Sequence, residues 1–392
     1  MRSRRYPSQG QLLLPLLDVL SEVGAAAPRE VYPAVAAAVG LPPSVREERT
    51  PGGVRAFDRH VRWTEQRARA LDLTEASRRN LWRATKKGRE FLRFAEPGVI
   101  TVVLRRPGGE AIWADSFEVL QGLEPGSVDL HFTSPPYLLQ QAKEYGGPRT
   151  EQEYISWFLP FAREMHRSLR DTGSFVLNMG LGPYLPGVPV RSAYVHRLLL
   201  ALLDDVGFFL AGEGVWHNPA TLPTPAAWVT QQRRAVKDGF ELVFWLSKST
   251  WPKADNRRVL VPYSQRQARA MAQGDVFGTR PSGHRVGKGI IKDNGGAIPS
   301  RVLIAANTSS NDAYQRRCRA AGVPVHPARF PSALPEWWIR YLTEEGDLVC
   351  DPFAGSLTTG EVAESLGRRW IAVERSRTYL DGGALRFGDV AA

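Results

Sequence analysis

A hydroxyl, two consecutive prolines and a phenol follow one another at Ser134-Pro135-Pro136-Tyr137. Ser134 offers a hydroxyl oxygen as a hydrogen-bond acceptor. Pro135 offers a carbonyl whose direction is stiffened by fixed proline φ angles, with no competing N–H nearby. Tyr137 adds a ring on which a flat partner can stack. Two acceptors beside an aromatic platform suit chemistry at a planar amino group. Accepting both amino protons pushes the nitrogen towards sp³ geometry and frees its lone pair for attack. That chemistry requires no deprotonating histidine and no covalent cysteine. The only cysteines, Cys318 and Cys350, suggest neither a disulfide framework nor a zinc site, and no metal is expected.

A second constellation lies near the C-terminus, at Asp351-Pro352-Phe353-Ala354-Gly355-Ser356. Gly355 permits close backbone approach to a ligand, and Ser356 or Thr358 can cap the helix expected from Glu361. The next apolar run, Arg369 to Val373, ends in Glu374. An acid about 20 residues past a glycine loop is placed to accept hydrogen bonds from ribose hydroxyls. A glycine loop alone fits a nucleotide-binding dehydrogenase equally well. Glu374, with no complete Gly-x-Gly-x-x-Gly, favours S-adenosylmethionine.

Both constellations must be held by strands. Val128-Asp129-Leu130-His131-Phe132 precedes the first and Gly346-Asp347-Leu348-Val349-Cys350 the second. Each loop thus falls at the carboxyl end of a buried strand, where open α/β sheets carry their ligand sites. Ser174 to Met179 and Phe240 to Leu246 are also strand-like. Tyr154 to Leu169 and Ser192 to Leu203 are helix-like. Alternation of this kind predicts a largely parallel sheet with helices on both faces.

Ser-Pro-Pro-Tyr followed much later by Asp-Pro-Phe-x-Gly-Ser resembles the amino-methyltransferases of DNA, in the permuted arrangement where the catalytic loop comes first. Val259 to Ser264, Asn307 to Asp312 and the strip His326-Pro327-Ala328-Arg329-Phe330-Pro331 resemble more narrowly the cytosine-N4 methyltransferases of type II restriction–modification systems. The resemblance implies a Rossmann-like fold dependent on S-adenosylmethionine, with Ser134, Pro135, Pro136 and Tyr137 as catalytic residues. It implies cofactor contacts from Asp351, Phe353, Gly355, Ser356 and Thr358, with Glu374 on the ribose. Phe330 would present its ring to the sulfonium. Trp113-Ala114-Asp115-Ser116 is similar to the family's Gly-Asp-Ser, which places Asp115 near the adenine, although Ala114 replaces the glycine. Trp337 and Trp338 read as buried helix residues. Serine ahead of the two prolines leans towards cytosine N4 over adenine N6. Adenine N6, an idle methyltransferase fold serving a DNA-binding regulator, and an RNA or protein substrate are the competing readings.

The charge distribution points to a polyanion. The chain carries a net +11, of which residues 1–95 contribute +8 and residues 252–320 contribute +9, leaving −6 elsewhere. Residues 1–95 read as three helices, a hairpin wing over Arg78 to Thr85 and a closing helix, Lys86 to Phe94. This is similar to the N-terminal winged-helix domain of Mrr-type restriction proteins; a helical packing module is the alternative. Glu96-Pro97-Gly98 opens the second domain, 96–392. Within it residues 252–322 form an irregular basic stretch, expected to be the insertion that touches bases. The expected DNA contacts are Arg78 and Arg79 in the wing and Arg257, Arg258, Arg285 and Lys288 in the insertion. Double-stranded DNA is the expected partner, with a cognate restriction endonuclease acting separately. No run of 18 apolar residues exists, and the stretch after Met1-Arg2-Ser3-Arg4-Arg5 reads as a first helix rather than a signal peptide. A cytoplasmic, nucleoid-associated location is expected.

Overall fold

The computed structural model describes residues 7, 9–76, 80–95, 98–138, 148–274, 283, 292–307 and 312–388. The chain opens with helices Gln9–Val23, Pro28–Ala38, Pro43–Arg46 and Ala56–Ala70. Strands β1 (Thr74–Ala76) and β2 (Trp82–Ala84) and a helix, Lys86–Phe91, come next. Leu12, Leu16 and Leu20 recur at helical spacing and are buried with Val31, Val35, Phe57, Val61 and Trp82. β1 and β2 pair antiparallel, with the first strand at Thr74–Ala76, ahead of Arg78, where the sequence places the start of the hairpin. Trp82 sets that register. It pairs with Ala76 and bridges Ala26, and its ring is buried edge-on to Tyr32 at 5.8 Å. Arg78 and Arg79 lie outside the described residues.

Beyond residue 98 the described strands form one nine-stranded sheet. They are β3 (Ile100–Arg106), β4 (Gly109–Ala114), β5 (Val128–Thr133), β6 (Leu169–Met179), β7 (Phe209–His217), β8 (Phe240–Ser247), β9 (Val302–Ile304), β10 (Leu348–Asp351) and β11 (Arg369–Glu374). Their spatial order is β3-β4-β11-β10-β5-β6-β8-β7-β9. From β4 to β6 the neighbours are parallel, whereas β3 and β8 run the other way. β10 and β11 come last in the chain yet fill the centre, so the two motif loops leave adjacent strands.

β5 is buried along its whole length, because helices cover both faces of the sheet. Leu130 and Phe132 pack on the side of Trp338, Ile339, Val362 and Leu380; Val128 packs on the side of Phe158, Met165 and Leu198. Its polar side chains bond to neighbouring elements. Asp129 accepts from the Leu348 N–H at 2.9 Å, and His131 bonds the Ser168 hydroxyl at 3.0 Å. As expected, Trp338 is buried; Trp337 is only half-buried, stacked edge-on against it at 4.8 Å.

The stretch 252–322 is less irregular than its composition predicts. It contains the helices Gln265–Gln273 and Ala313–Ala320, and β9 adds an edge strand to the sheet. Its first residues run beneath the amino ends of the strands, since the Lys253 N–H donates to the Thr172 carbonyl and the Asp255 N–H to Tyr341. β9 then climbs parallel to β7 and carries Asn307 to the opposite rim, where its N–H donates to Asn218 Oδ1 at 3.2 Å.

The N-terminal helices dock beside the loop after β11. Ala95 and Arg375 bond each other's backbone, Arg377 pairs with Asp18 at 3.4 Å, and Leu14 joins the sheet's core. No described helix is long and apolar enough to cross a membrane.

Candidate active site

The loop after β10 is held by buried hydrogen bonds. Asp351 ends that strand, and its Oδ1 accepts from Thr133 of β5 at 2.6 Å and from the Phe353 N–H at 3.1 Å. Its Oδ2 accepts from Thr359 at 2.6 Å. One carboxylate thus ties together the two central strands and the helix Thr358–Ser365. Burial pushes its pKa up to about 6 against those three bonds. The loop then turns through Gly355 at φ +50° and Leu357 at φ +60°. Leu357, not Ser356 or Thr358, occupies the cap position of the helix, with no side-chain cap bond. The Ser356 hydroxyl instead bonds Thr358 at 3.3 Å and Arg386 at 3.2 Å. A Cβ on Gly355 would stand 3.1 Å from His326 Nε2, so a larger residue there would be strained by its left-handed φ and would push the imidazole aside by a few tenths of an ångström.

Glu374, at the end of β11, accepts from the Gly355 N–H at 2.9 Å and the Ser376 N–H at 2.7 Å. Burial raises its pKa to about 7, with a smaller upward push from Asp351. Asp115 caps the helix Ser116–Gly122 by accepting from the Phe117 N–H at 2.9 Å. Phe330 stands edge-on to Phe132 at 5.6 Å.

Across the same cleft, the loop after β5 presents Ser134 within a polar cluster. Ser134 Oγ lies 2.9 Å from the Tyr137 hydroxyl, which donates to Glu241 at 2.7 Å. Asn178 Nδ2 donates to Glu241 at 2.6 Å and to the Tyr137 oxygen at 3.0 Å. An ionised carboxylate only accepts, so Glu241 fixes the direction of the chain. Tyr137 donates to Glu241 and Ser134 donates to Tyr137; one Ser134 lone pair takes a long bond from Asn178 Nδ2 at 3.4 Å, and the other is left for a donor in the cleft. The Tyr137 ring lies against Gly180, where a Cβ would come within 2.6 Å of it. Tyr154 donates to the Pro136 carbonyl at 2.8 Å, while no described residue donates to the Pro135 carbonyl.

Ser134, Tyr137, Asn178 and Glu241 share one cleft with Gly355, Phe330 and Glu374, of about 850 Å³, within the range of ~300–1,000 Å³ for small-molecule sites. Residues 128–385 match the family described as DNA methylase. The chain belongs to the DNA methylase family. Residues 10–93 match the Mrr N-terminal domain. The type II methyltransferase M.PvuII of Proteus hauseri is 44% identical over 308 residues, covering 78% of this chain and 90% of that relative. M.ScaI of Streptomyces caespitosus is 29% identical over 270 residues, covering 68% of this chain and 77% of the relative. Among solved structures, the cytosine-N4-specific PvuII DNA methyltransferase superposes with a TM-score of 0.59 at 40% identity, covering 73% of this chain and 88% of that one.

In this DNA methylase the structure brings Ser134, Pro135, Pro136, Tyr137, Asp115, Phe330, Phe353, Gly355, Ser356, Thr358 and Glu374 to the cleft wall. Asp351 stands behind that wall. Two of the expected DNA contacts, Arg257 and Arg258, lie away from the cleft. Arg257 pairs with Asp255, and Arg258 donates to the Thr343 carbonyl and to Glu344 beneath the amino ends of the strands. These two lie at the edge of the sheet opposite Ser134, because the reversed β8 delivers the chain there. Arg285, Lys288 and residues 308–311 lie outside the described residues. Sequence reasoning missed Glu241 and Asn178. A ligand site is looked for at the carboxyl ends of strands, and Glu241 sits at the start of an antiparallel one.

Proposed function

We infer that this chain is a site-specific DNA methyltransferase that acts on cytosine N4 in double-stranded DNA. The observation that carries the reading is Ser134, its free lone pair directed into the same cleft as the Gly355–Glu374 loop. The substantial identity to M.PvuII and to the cytosine-N4-specific PvuII enzyme supports the choice of atom. S-adenosylmethionine fits the cofactor side. Glu374, a recessed carboxylate in the cleft wall, is placed to accept from a hydroxyl-bearing ligand, and Gly355 opens its backbone to close approach. When bound, the cofactor supplies an electrophilic methyl group.

The chain's own residues do the rest. Glu374 accepts from ribose hydroxyls; Phe330 and Phe353 close the apolar walls; Asp351 holds the loop's position by latching Thr133 and Thr359. The target base leaves the duplex and stacks on Tyr137. Its amino protons are donated to Ser134 Oγ and the Pro135 carbonyl, which steers the nitrogen lone pair towards the methyl group. Digestion of methylated duplex DNA to nucleosides should yield N4-methylcytosine by mass spectrometry. N6-methyladenine alone would move the assignment to adenine.

We place the DNA on the carboxyl rim and across residues 1–95, taken as a winged-helix unit. The loop that leaves the rim after β7 and returns to it at β8 exposes Gln231, Gln232, Arg233 and Arg234 in succession. The helix Ala56–Ala70 exposes Arg59, Arg62 and Arg67. Both suit phosphate or base-edge contact. Replacing Arg59, Arg62 and Arg67 together with alanine should weaken DNA binding. The plot of log affinity against log salt should flatten by about 0.9 for each phosphate no longer neutralised. Cofactor affinity and base choice should stay as they are. An unchanged salt slope would reduce this unit to a packing module. A cognate endonuclease recognising the same site, as a separate protein, completes the proposal.

A further inference from the structure

Glu241 is a carboxylate to which methyl transfer so far assigns only an orienting task. It pairs in register with Trp216 at the rim end of β8 and faces the cleft. Its Oε2 takes bonds from Tyr137 and Asn178, and no described cation pairs with it. Methyl transfer creates a demand for such a group. As the new C–N bond forms and the S–C bond breaks, the nitrogen keeps both protons, gains the methyl group and becomes positively charged. One proton must leave before product is released.

We propose that Glu241 is the terminal acceptor of that proton, reached through the hydroxyls of Ser134 and Tyr137. The nitrogen's proton passes to Ser134 Oγ, the Ser134 proton to the Tyr137 oxygen, and the Tyr137 proton to Glu241. Both hydroxyls are restored, the base carries a neutral methylamino group, and Glu241 ends as a carboxylic acid that later returns its proton to water. The contacts of 2.9 and 2.7 Å are continuous and already polarised in this direction. Burial lifts the Glu241 carboxyl above its ordinary range and pushes the Tyr137 hydroxyl well up, so the tyrosine passes a proton on without ionising. Tyr137 and Tyr194 are the titratable groups whose charge reaches Glu241. Its other neighbours Asn178 and Ser134 are neutral, and His217 on β7 is bonded to the Gly239 carbonyl. Because it acts through two other side chains, Glu241 is a positioning residue rather than a catalytic one. The inference rests on Ser134 acting at the target amino group.

The test is single-turnover methylation of a duplex across pH with wild type, Glu241→Gln and Glu241→Asp, each checked for cofactor binding. Glu241→Gln should be slower by about 10²-fold and lose the acidic limb of the rate profile. Glu241→Asp should recover part of the rate and show that limb displaced. A Glu241→Gln rate near wild type, or a slower one with the acidic limb intact, overturns the proposal. If Glu241→Gln does not bind cofactor, Glu241→Asp decides, and an undisplaced limb overturns it. Wild-type protein that forms no N4-methylcytosine would instead overturn the functional reading itself.

Discussion

Ser134→Ala is expected to lower the single-turnover rate of methyl transfer by about 10²–10³ while cofactor affinity stays unchanged. The substitution removes the acceptor whose free lone pair faces the cleft and interrupts the hydroxyl chain to Glu241. The cofactor loop is untouched, because Asp351 is latched through Thr133 and Thr359, not through Ser134. The effect therefore falls on the chemical step. Rapid-quench assays with labelled S-adenosylmethionine, paired with calorimetric binding, separate the two. A variant that turns over at the wild-type rate would remove Ser134 from the reaction.

Glu374→Ala should have the opposite signature, weakening cofactor binding with a smaller effect on the rate at saturation. Hydrogen bonds to a charged acceptor contribute about 1.5–3 kcal/mol each, so losing one predicts roughly 10–150-fold weaker binding. The pH dependence gives a second readout. Glu374 and Asp351 have folded pKa values of about 7 and about 6, above their ordinary 4.5 and 3.8. Each therefore stabilises the free protein fully below its ordinary pKa, and that contribution is lost as pH rises through about 6 and 7. A ligand that donates to the ionised carboxylate pulls the pKa back down, so binding releases a proton and affinity rises with pH towards 7. Calorimetry in buffers of different ionisation enthalpy measures that proton, and Glu374→Ala should release less of it. Proton uptake on binding would refute the assignment.

Gly355 and Leu357 show how a local motif became a site. The glycine's need for a left-handed turn is written in its residue type, and it is found at φ +50°. That Leu357 shares this conformation, leaving Ser356 and Thr358 to other bonds, depends on packing of Leu357 into the core. The wing shows the same division. A hairpin is legible over Arg78 to Thr85, but its first strand lies earlier, at Thr74–Ala76, and the register follows burial of Trp82 against helices distant in sequence.

Residue order alone carried the motifs and the strands that hold them. The succession of residue types at Ser134–Tyr137 and Asp351–Ser356, the buried strands before them and the acid at Glu374 are all properties of short windows, and they pointed to cofactor and reaction. Folding in three dimensions decided whatever depends on strand direction and on partners far apart in the chain. Reversal of β8 brings Glu241 to the catalytic rim and sends Arg257 and Arg258 to the opposite edge. Pairing of β5 with β10 places Thr133 against Asp351, so that an expected ligand contact became a latch. A hydrogen bond across 218 residues leaves no periodicity in the sequence, because its energy is gained only once the sheet has closed.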